Sequence, residues 1–329
     1  MPAEALALWL SEPGLAEIRA QPLPARGPDD VLVHTRYSGI SRASEALVFR
    51  GGVPDSQRAV MRAPFQEGDF PAPVKYGYLN VGVVQAGPSA LAGRTVFCLY
   101  PHQTAYVVPA SAVTVVPDGV PAQRAVLAGT VETAVNALWD AAPLIGDRIA
   151  VVGAGMVGCC VARLLAQIVG VRVTLVDVDV ARSATAAALG VDFALPGAAP
   201  VGCDLTIHTS GTSAGLQLAL DLLGPEGTVI DLSWYGDSDV RLSLGGAFHS
   251  SRLSIRSSQV SAVAPARRRR RTTRQRLEFA LTLLRDPAFD ALITGTSRFE
   301  DLPDVFPRLA AGHLPALCHT VSYGYRPDG

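Results

Sequence analysis

The feature that most constrains this chain is a glycine turn between an apolar strand and an apolar helix. Residues 149–152 form a β-branched run that leads directly into the sequence Gly153-Ala-Gly155-Met-Val-Gly158. Gly153 permits a tight turn, Gly155 lets a ligand approach the backbone, and Gly158 lets the helix pack closely against the strand. Backbone amides at a helix start attract anions without any charged side chain. The turn therefore predicts a pyrophosphate site.

A carboxylate closes the next apolar run, Val173–Val176, nineteen residues after the last glycine of the turn. At this place Asp177 can accept hydrogen bonds from both hydroxyls of an adenosine ribose and repel a 2′-phosphate, which favours NAD(H) over NADP(H). Arg182 can contact the same ribose, so NADP(H) stays possible. Strand, glycines, helix, strand and acid in this order predict a dinucleotide-binding domain. We also predict that three more residues contact the cofactor: Met156, Val157 and Thr209.

Composition limits the partners. A chain of 329 residues suits about two domains. A net charge of −1 gives no overall attraction to nucleic acid or to anionic membranes. Arg163 and Gln167 interrupt the longest apolar region, and the first residues do not resemble a secretory signal, so we expect a cytoplasmic protein that spans no membrane. The five cysteines show no CxxC spacing, which predicts reduced core residues.

The order of strand and helix patterns predicts an α/β fold in three segments. Residues 1–128 alternate short β-like runs with Gly and Pro, which is typical of an antiparallel, barrel-like domain. Residues 129–258 alternate strands with helices, which predicts a doubly wound parallel sheet. Residues 259–329 carry two helical stretches and a closing strand, and we expect them to return to the first domain.

This order resembles the medium-chain dehydrogenase/reductase family over nearly the whole chain. The resemblance rests on four stretches: Gly39–Glu45, Lys75–Gly82, Thr130–Ala137 and the C-terminal run from Ala291 to Gly312. It implies a GroES-like substrate domain beside a Rossmann domain, with an active cleft between the two. It also implies a homodimer joined through the last strand of the parallel sheet, near Leu253–Ser258.

The chain departs from the family at the catalytic zinc. The family's Cys, His and Cys or Asp ligands correspond here to Ser41, Tyr78 and Gly129. These residues do not offer the thiolate, imidazole or carboxylate that tetrahedral zinc requires. We therefore expect no zinc, as in the quinone and enone reductases of the family. Three other residues carry metal-binding groups that leave a different site open: Glu45, His102 and Glu132.

The resemblance also suggests catalytic residues. Tyr78, in the place of the histidine ligand, can donate a hydrogen bond to a substrate oxygen, and Ser44 can relay a proton. Lys75, the single lysine of the chain, can lower the pKa of Tyr78. However, strand alternation would direct Lys75 away from Tyr78 and place Tyr76 on the same face. Two further contacts are implied by alignment with the family: Thr133 against the nicotinamide and Arg42 on the pyrophosphate.

Three functions agree with the sequence. The first is an NAD(H)-dependent, zinc-independent oxidoreductase that acts on an alcohol or carbonyl substrate. The second is a zinc-less reductase of quinones or enones, and the third is a nucleotide-binding sensor without turnover. The run Arg267–Arg271, followed by Arg274 and Arg276, precedes a helix that Thr272 or Thr273 would cap. We expect these arginines to form a solvated face, an interface or an anion contact, and no nucleic-acid site.

Overall fold

The computed structural model describes residues 4–324. The first part of the chain contains short strands and two short helices: β1 (Glu4–Glu12), β2 (Leu15–Pro22), β3 (Asp30–Ile40), α1 (Ser44–Phe49), β4 (Glu67–Gly68), β5 (Val74–Lys75), β6 (Asn80–Ala86), β7 (Thr95–Cys98), β8 (Ala105–Pro109), β9 (Val113–Val115) and α2 (Ala122–Ala125). Strands and helices then alternate: α3 (Ala128–Ala141), β10 (Arg148–Val152), α4 (Met156–Leu165), β11 (Arg172–Val176), α5 (Arg182–Ala188), β12 (Asp192–Ala194), β13 (Cys203–His208), α6 (Ser213–Asp221), β14 (Leu223–Asp231), α7 (Ala247–Ser250), β15 (Ser254–Ser257) and α8 (Thr273–Leu283). The chain continues with β16 (Ile293–Arg298), α9 (Leu302–Ala310) and β17 (Cys318–Ser322).

The described residues fall into two compact units. Residues 4–129, 281–285 and 293–324 form the antiparallel unit, and residues 130–280 and 286–292 form the parallel unit. The sequence predicts a return to the first domain from residue 259, whereas residues 259–280 cluster with the parallel unit.

The antiparallel unit contains two sheets. One has the order β2-β1-β5-β4. The other has the order β16-β17-β3-β6-β7-β9, with β8 also paired to β3. Its strands pair antiparallel, except that β16 and β17 are parallel. Buried residues of β3 alternate along part of the strand, as expected where one face covers a core. The predicted antiparallel, barrel-like character of this region agrees with these sheets.

The parallel unit is built on a sheet with the order β12-β11-β10-β13-β14-β15, in which neighbouring strands are parallel. This is the doubly wound order, and the chain reverses direction across the sheet between β10 and β13. Four of the five residues of β10 are buried, as is typical of a strand covered on both faces. The prediction of a doubly wound parallel sheet is confirmed.

One buried arginine explains why residues 259–280 stay with the parallel unit. The guanidinium of Arg276, on α8, lies 3.0 Å from Glu132 Oε1 and 2.5 Å from Asn136 Oδ1, both on α3. It also donates to the carbonyl oxygens of Val260 and Ala262. A buried cation requires such a full set of partners, so α8 and the segment before it are fixed to α3. Arg276 therefore differs from the run Arg267–Arg271, which is exposed.

Two smaller predictions are also confirmed. Thr272, rather than Thr273, caps α8: its Oγ1 accepts from Gln275 N at 3.1 Å, and Gln275 Oε1 accepts from Thr272 N at 3.1 Å. The five cysteines are free and buried. Among the described residues, no helix is both long enough and apolar enough to cross a bilayer.

Candidate functional site

The glycine turn after β10 has the tight geometry that its sequence predicts. Gly153 has a φ of +109°, in the region that favours glycine. A Cβ placed on Gly158 would lie 1.9 Å from the carbonyl oxygen of Gly153, so only glycine allows this approach of helix to turn. Thr209 secures the turn from the neighbouring strand, since its Oγ1 donates to Gly153 O at 2.8 Å and to Val152 O at 3.2 Å. Thr209 thus stabilises the backbone of the turn.

Gly155 differs from the other two glycines because a Cβ at this position would meet no atom within 4 Å. It is the N-cap of α4, its backbone is extended, and no side chain caps the helix. The first turn of α4 begins at Met156, which is buried, and Val157, which is partly exposed. Amides of a first helical turn have no intrahelical acceptor, so this open space suits an anionic ligand.

The carboxylate of Asp177 lies beside this turn and is held by two backbone amides. Its Oδ2 accepts from Ala154 N at 2.6 Å, and its Oδ1 accepts from Asp179 N at 2.9 Å. The side chain is partly exposed. The structure therefore joins the glycine turn and the predicted ribose-binding acid in a single arrangement at the carboxyl edge of the sheet.

The other predicted cofactor contacts are more dispersed. Arg182 is directed to Asp179, with its Nε 3.4 Å from Asp179 Oδ2. Thr133 is partly buried on α3, and Arg42 is exposed just before α1. These three placements leave their assignment to a cofactor as a prediction.

Sequence reasoning missed a polar cluster at the carboxyl ends of β13 and β14. His208 and Asp231 are the last residues of these two strands and are opposite each other in the parallel register. His208 Nδ1 lies 2.9 Å from Asp231 Oδ1, and His208 Nε2 lies 2.7 Å from Ser210 Oγ. Tyr235 donates its hydroxyl to Asp231 Oδ2 at 2.9 Å. The signal was available, because in each of these two parallel strands a polar residue directly follows a buried isoleucine, Ile207 or Ile230.

In the antiparallel unit, Tyr78 is partly exposed, and the side chains of Ser41 and Ser44 lower the pKa of its hydroxyl. Burial of the hydroxyl and the nearby Glu45 carboxylate raise the pKa of Tyr78 to about 12, against the opposing effect of the two serines. Tyr78 therefore stays protonated at neutral pH and acts as a hydrogen-bond donor. The predicted residues Tyr78 and Ser44 are brought together.

A chain of hydrogen bonds lies behind Ser41. Glu45 is fully buried; its Oε1 accepts from Ser41 N at 2.8 Å, and its Oε2 lies 2.8 Å from His102 Nε2. His102 Nδ1 lies 2.7 Å from Ser38 Oγ, which lies 2.9 Å from the Tyr323 hydroxyl. Each polar group is thus engaged by another, as buried polar groups require.

The zinc implied by the family resemblance does not fit this donor set. Ser41 and Tyr78 supply hydroxyls, and a side chain at Gly129 would collide with Leu79, whose Cδ2 lies 2.7 Å from the Cβ position. Glu45 and His102 bind each other and have their other polar atoms occupied. Over residues 4–324 no group of three or more His, Cys, Asp or Glu side chains could hold a metal ion.

Lys75 and Glu132 are engaged elsewhere. The Lys75 ammonium lies 2.5 Å from Glu67 Oε1 and 2.7 Å from Gln103 Oε1, and burial lowers its pKa against the effect of Glu67. The Tyr76 ring instead packs edge-on against Tyr78, with ring centroids 6.1 Å apart, although these two residues follow β5 and are not part of a strand. Glu132 pairs with Arg276 in the parallel unit.

Comparison with known proteins supports the fold. L-Idonate 5-dehydrogenase from Escherichia coli K-12 superposes with a TM-score of 0.79 at 14% identity, covering 98% of this chain and 99% of the other. A presumed zinc-binding dehydrogenase from Sinorhizobium meliloti 1021, solved with NADP, gives 0.77 at 17% identity, covering 97% and 99%. An alcohol dehydrogenase from Escherichia coli CFT073, described as short chain and solved with NADH, gives 0.76 at 16% identity, covering 97% and 99%.

No family model and no curated protein matches the sequence. At identities of this size the structural likeness establishes the fold alone. The predicted fold class, a Rossmann doubly wound sheet with a GroES-like β-domain, is confirmed.

Proposed function

We propose that this protein is an NAD(H)-dependent, zinc-independent oxidoreductase that transfers a hydride between the nicotinamide and an alcohol or carbonyl substrate. The observation that carries the proposal is the glycine turn. At Gly158 the helix α4 touches the turn, whereas at Gly155 there is free space for a ligand. The carboxylate of Asp177 is held beside the turn by the amide of Ala154. This combination supports a dinucleotide with an unmodified adenosine ribose.

When bound, the nicotinamide would supply or accept the hydride. The chain's own residues hold the cofactor and manage a proton. The amides of the turn and of the first turn of α4 would bind the pyrophosphate, and Asp177 would accept from the ribose hydroxyls. Arg182, Thr133 and Arg42 are proposed as further contacts. A preference for NAD(H) follows because Asp177 would repel a 2′-phosphate.

We propose that Tyr78 provides the electrophilic hydrogen bond that zinc provides in metal-dependent relatives of the family. A protonated phenol polarises a carbonyl by donating to its oxygen, and the pKa of about 12 keeps Tyr78 in that form. The alkoxide formed on reduction is more basic than such a phenolate, so it takes the proton from Tyr78. The hydroxyl of Ser44, which acts on the Tyr78 hydroxyl, is suited to return a proton to the phenolate. The buried Glu45 and His102 hold Ser41 in place beneath it.

Substitution of Tyr78 by Phe tests this role. We expect kcat for NADH-dependent carbonyl reduction to fall about a hundredfold or more, the range for loss of a positioned proton donor, with NADH affinity unchanged. Tyr76→Phe is the matched control, because Tyr76 is the neighbouring aromatic residue and should lose little activity. A panel of aldehydes, ketones, enones and quinones in steady-state assays would identify the substrate class. Turnover of enones with no turnover of carbonyls would favour the alternative reductase, and NADH binding with no turnover would favour a sensor.

The pH dependence and the metal content provide further tests. A donor with a pKa of about 12 is protonated across the usual assay range. At saturating NADH, kcat for reduction should therefore show no loss attributable to Tyr78 between about pH 6 and 9, and the contribution of Tyr78 should fall only as the pH approaches 12. Elemental analysis should find no stoichiometric zinc, and a chelator should leave the rate unchanged. One tightly held zinc per chain that is required for turnover would contradict the proposal.

A further inference from the structure

The polar cluster of His208, Ser210 and Asp231 has a role that the proposed function does not use. His208 is fully buried, and Asp231 and Ser210 are partly exposed. The cluster lies where β13 and β14 end, immediately after the point at which the strand order reverses. In doubly wound sheets ligands bind in the crevice at this point. Polar groups with this placement are therefore candidates to interact with the bound dinucleotide.

The ionisation of Asp231 determines which nitrogen of His208 holds a proton. Burial by itself would raise the pKa of Asp231, but hydrogen bonds from His208, from the Ser233 amide and from the Tyr235 hydroxyl lower it overall. The carboxylate is thus ionised at neutral pH, and it accepts from His208 Nδ1–H. The second nitrogen, Nε2, is then available to form the hydrogen bond with the Ser210 hydroxyl.

The charge of His208 then sets the direction of the Ser210 hydroxyl. When the imidazole is neutral, Nε2 is an acceptor and Ser210 donates its proton inward. When the imidazole is protonated, Nε2 donates to Ser210 Oγ, and the serine proton must turn to another acceptor. Thr212 Oγ1 lies 3.0 Å from Ser210 Oγ but already accepts from Gly215 N at 3.0 Å. An anionic oxygen is a better acceptor than this hydroxyl.

Ser210 adjoins the predicted pyrophosphate site. The preceding residue, Thr209, clamps Gly153, and a Cβ added to Gly153 would lie 2.7 Å from Ser210 N. We propose that binding of a dinucleotide phosphate at the glycine turn is coupled to uptake of a proton by His208, with Ser210 as the hydroxyl that transmits the coupling. The inference rests on the proposed function only in taking the ligand to be a dinucleotide.

Few titratable or polar groups face the His208 imidazole. On β14 and the segment after it these groups are Asp231, Ser233 and Tyr235, whose hydroxyl lies 3.3 Å from Nδ1. On β10 the residue opposite His208 is Val152, and Gly215 of α6 packs on the other side. Burial and the Asp231 carboxylate raise the pKa of Tyr235, so it stays neutral. The next carboxylate at this edge, Asp177, is held by Ala154 N. A proton taken up at this cluster on binding, in the window from about pH 5 to 8, would therefore be held by the imidazole, because Asp231 stays ionised and Tyr235 stays neutral.

The coupling has a definite sign and size. A protonated His208 adds a positive charge and frees a donor, so it favours the anionic ligand, and by reciprocity the ligand favours protonation. Complete coupling to one proton makes the NADH Kd rise about tenfold for each unit of pH through the window. Weaker coupling gives a smaller slope.

Isothermal titration calorimetry of the whole protein in two buffers of different ionisation enthalpy tests the inference directly. With NADH, we expect uptake of up to one proton per site at pH 7, and a Kd about tenfold or more lower at pH 6 than at pH 8. ADP-ribose, whose pyrophosphate is esterified at both ends and keeps a constant charge in this pH range, should show the same sign, whereas adenosine should show no proton uptake. His208→Gln should abolish the uptake, and Ser210→Ala should reduce the pH 6 to pH 8 ratio to about threefold or less.

Two controls keep the test decisive. His249→Gln removes an exposed histidine of α7 in the same unit and should leave the uptake unchanged. Ser210→Ala alters only a hydroxyl, so it gives an answer even if His208→Gln does not fold. Equal NADH affinity at pH 6 and pH 8, or equal proton uptake in the wild type and Ser210→Ala, would overturn the coupling and leave the cofactor assignment standing. Failure of the wild type to bind NADH at all would overturn both.

Discussion

At the scale of single residues, Asp177 has two roles: it is placed to bind a ribose, which the sequence predicts, and it also binds two backbone amides, which only the structure shows. Its position at the end of β11 suits a ribose, and its oxygens also accept from the amides of Ala154 and Asp179. These bonds orient the carboxylate before any ligand binds. A preoriented group loses less conformational entropy on binding, so the same bonds that stabilise the turn also favour the ribose contact.

We predict that NADH binds more tightly than NADPH to the wild type and that Asp177→Asn loses this preference by about tenfold or more. The reason is that the amide keeps the shape and one acceptor but removes the charge that repels a 2′-phosphate. Fluorescence titration with both cofactors measures the ratio. Asp192→Asn is the matched control, because Asp192 is an exposed acid at the start of β12 in the same sheet. Equal affinities of the wild type for the two cofactors would refute the prediction.

At the scale of elements, the junction between β10 and α4 contains two glycines that serve different purposes. Gly158 is required because the helix and the turn are in contact there, with no room for a methyl group. Gly155 has room for a methyl group and an extended backbone that any residue can adopt. One glycine therefore serves the fold, and the other leaves space for a ligand.

Paired alanine substitutions should separate these roles. Gly158→Ala should lower the free energy of unfolding by about 1–3 kcal/mol, the usual effect of overpacking. Gly155→Ala should leave the thermal midpoint unchanged but weaken NADH binding about tenfold or more, because its methyl group enters the approach to the α4 amides. Thermal denaturation and NADH titration of both variants provide the measurements. Unchanged NADH affinity in Gly155→Ala would mean that the cofactor does not lie over this turn.

At the scale of the whole molecule, the parallel sheet ends in β15, an edge strand whose four residues are exposed. An exposed edge leaves amides and carbonyls unpaired, and self-pairing across a two-fold axis is one way to satisfy them. Ile255, in the middle of this strand, is 37% exposed. The edge is therefore the surface at which we expect two copies of the chain to pair.

We predict a homodimer in solution, joined through β15. Light scattering at micromolar concentration should give twice the mass of the chain, and Ile255→Lys should shift the protein to monomer because a charge blocks edge pairing. Val178→Lys is the control, since Val178 is an exposed apolar residue outside this strand. A monomeric wild type would rule out the dimer.

Patterns along the chain predict the alternation of strands and helices in the doubly wound sheet, the glycine turn and the acid that follows the next strand, and they narrow the cap of α8 to two adjacent threonines. Backbone conformation, helix capping and strand alternation are local effects. The tertiary structure alone decided the rest. It paired Arg276 with Glu132 and Asn136, brought Glu45 to His102, and placed His208 opposite Asp231. These partners are 23 to 144 residues apart in sequence, and burial in a shared core, which no local pattern encodes, is what requires each polar group to find another.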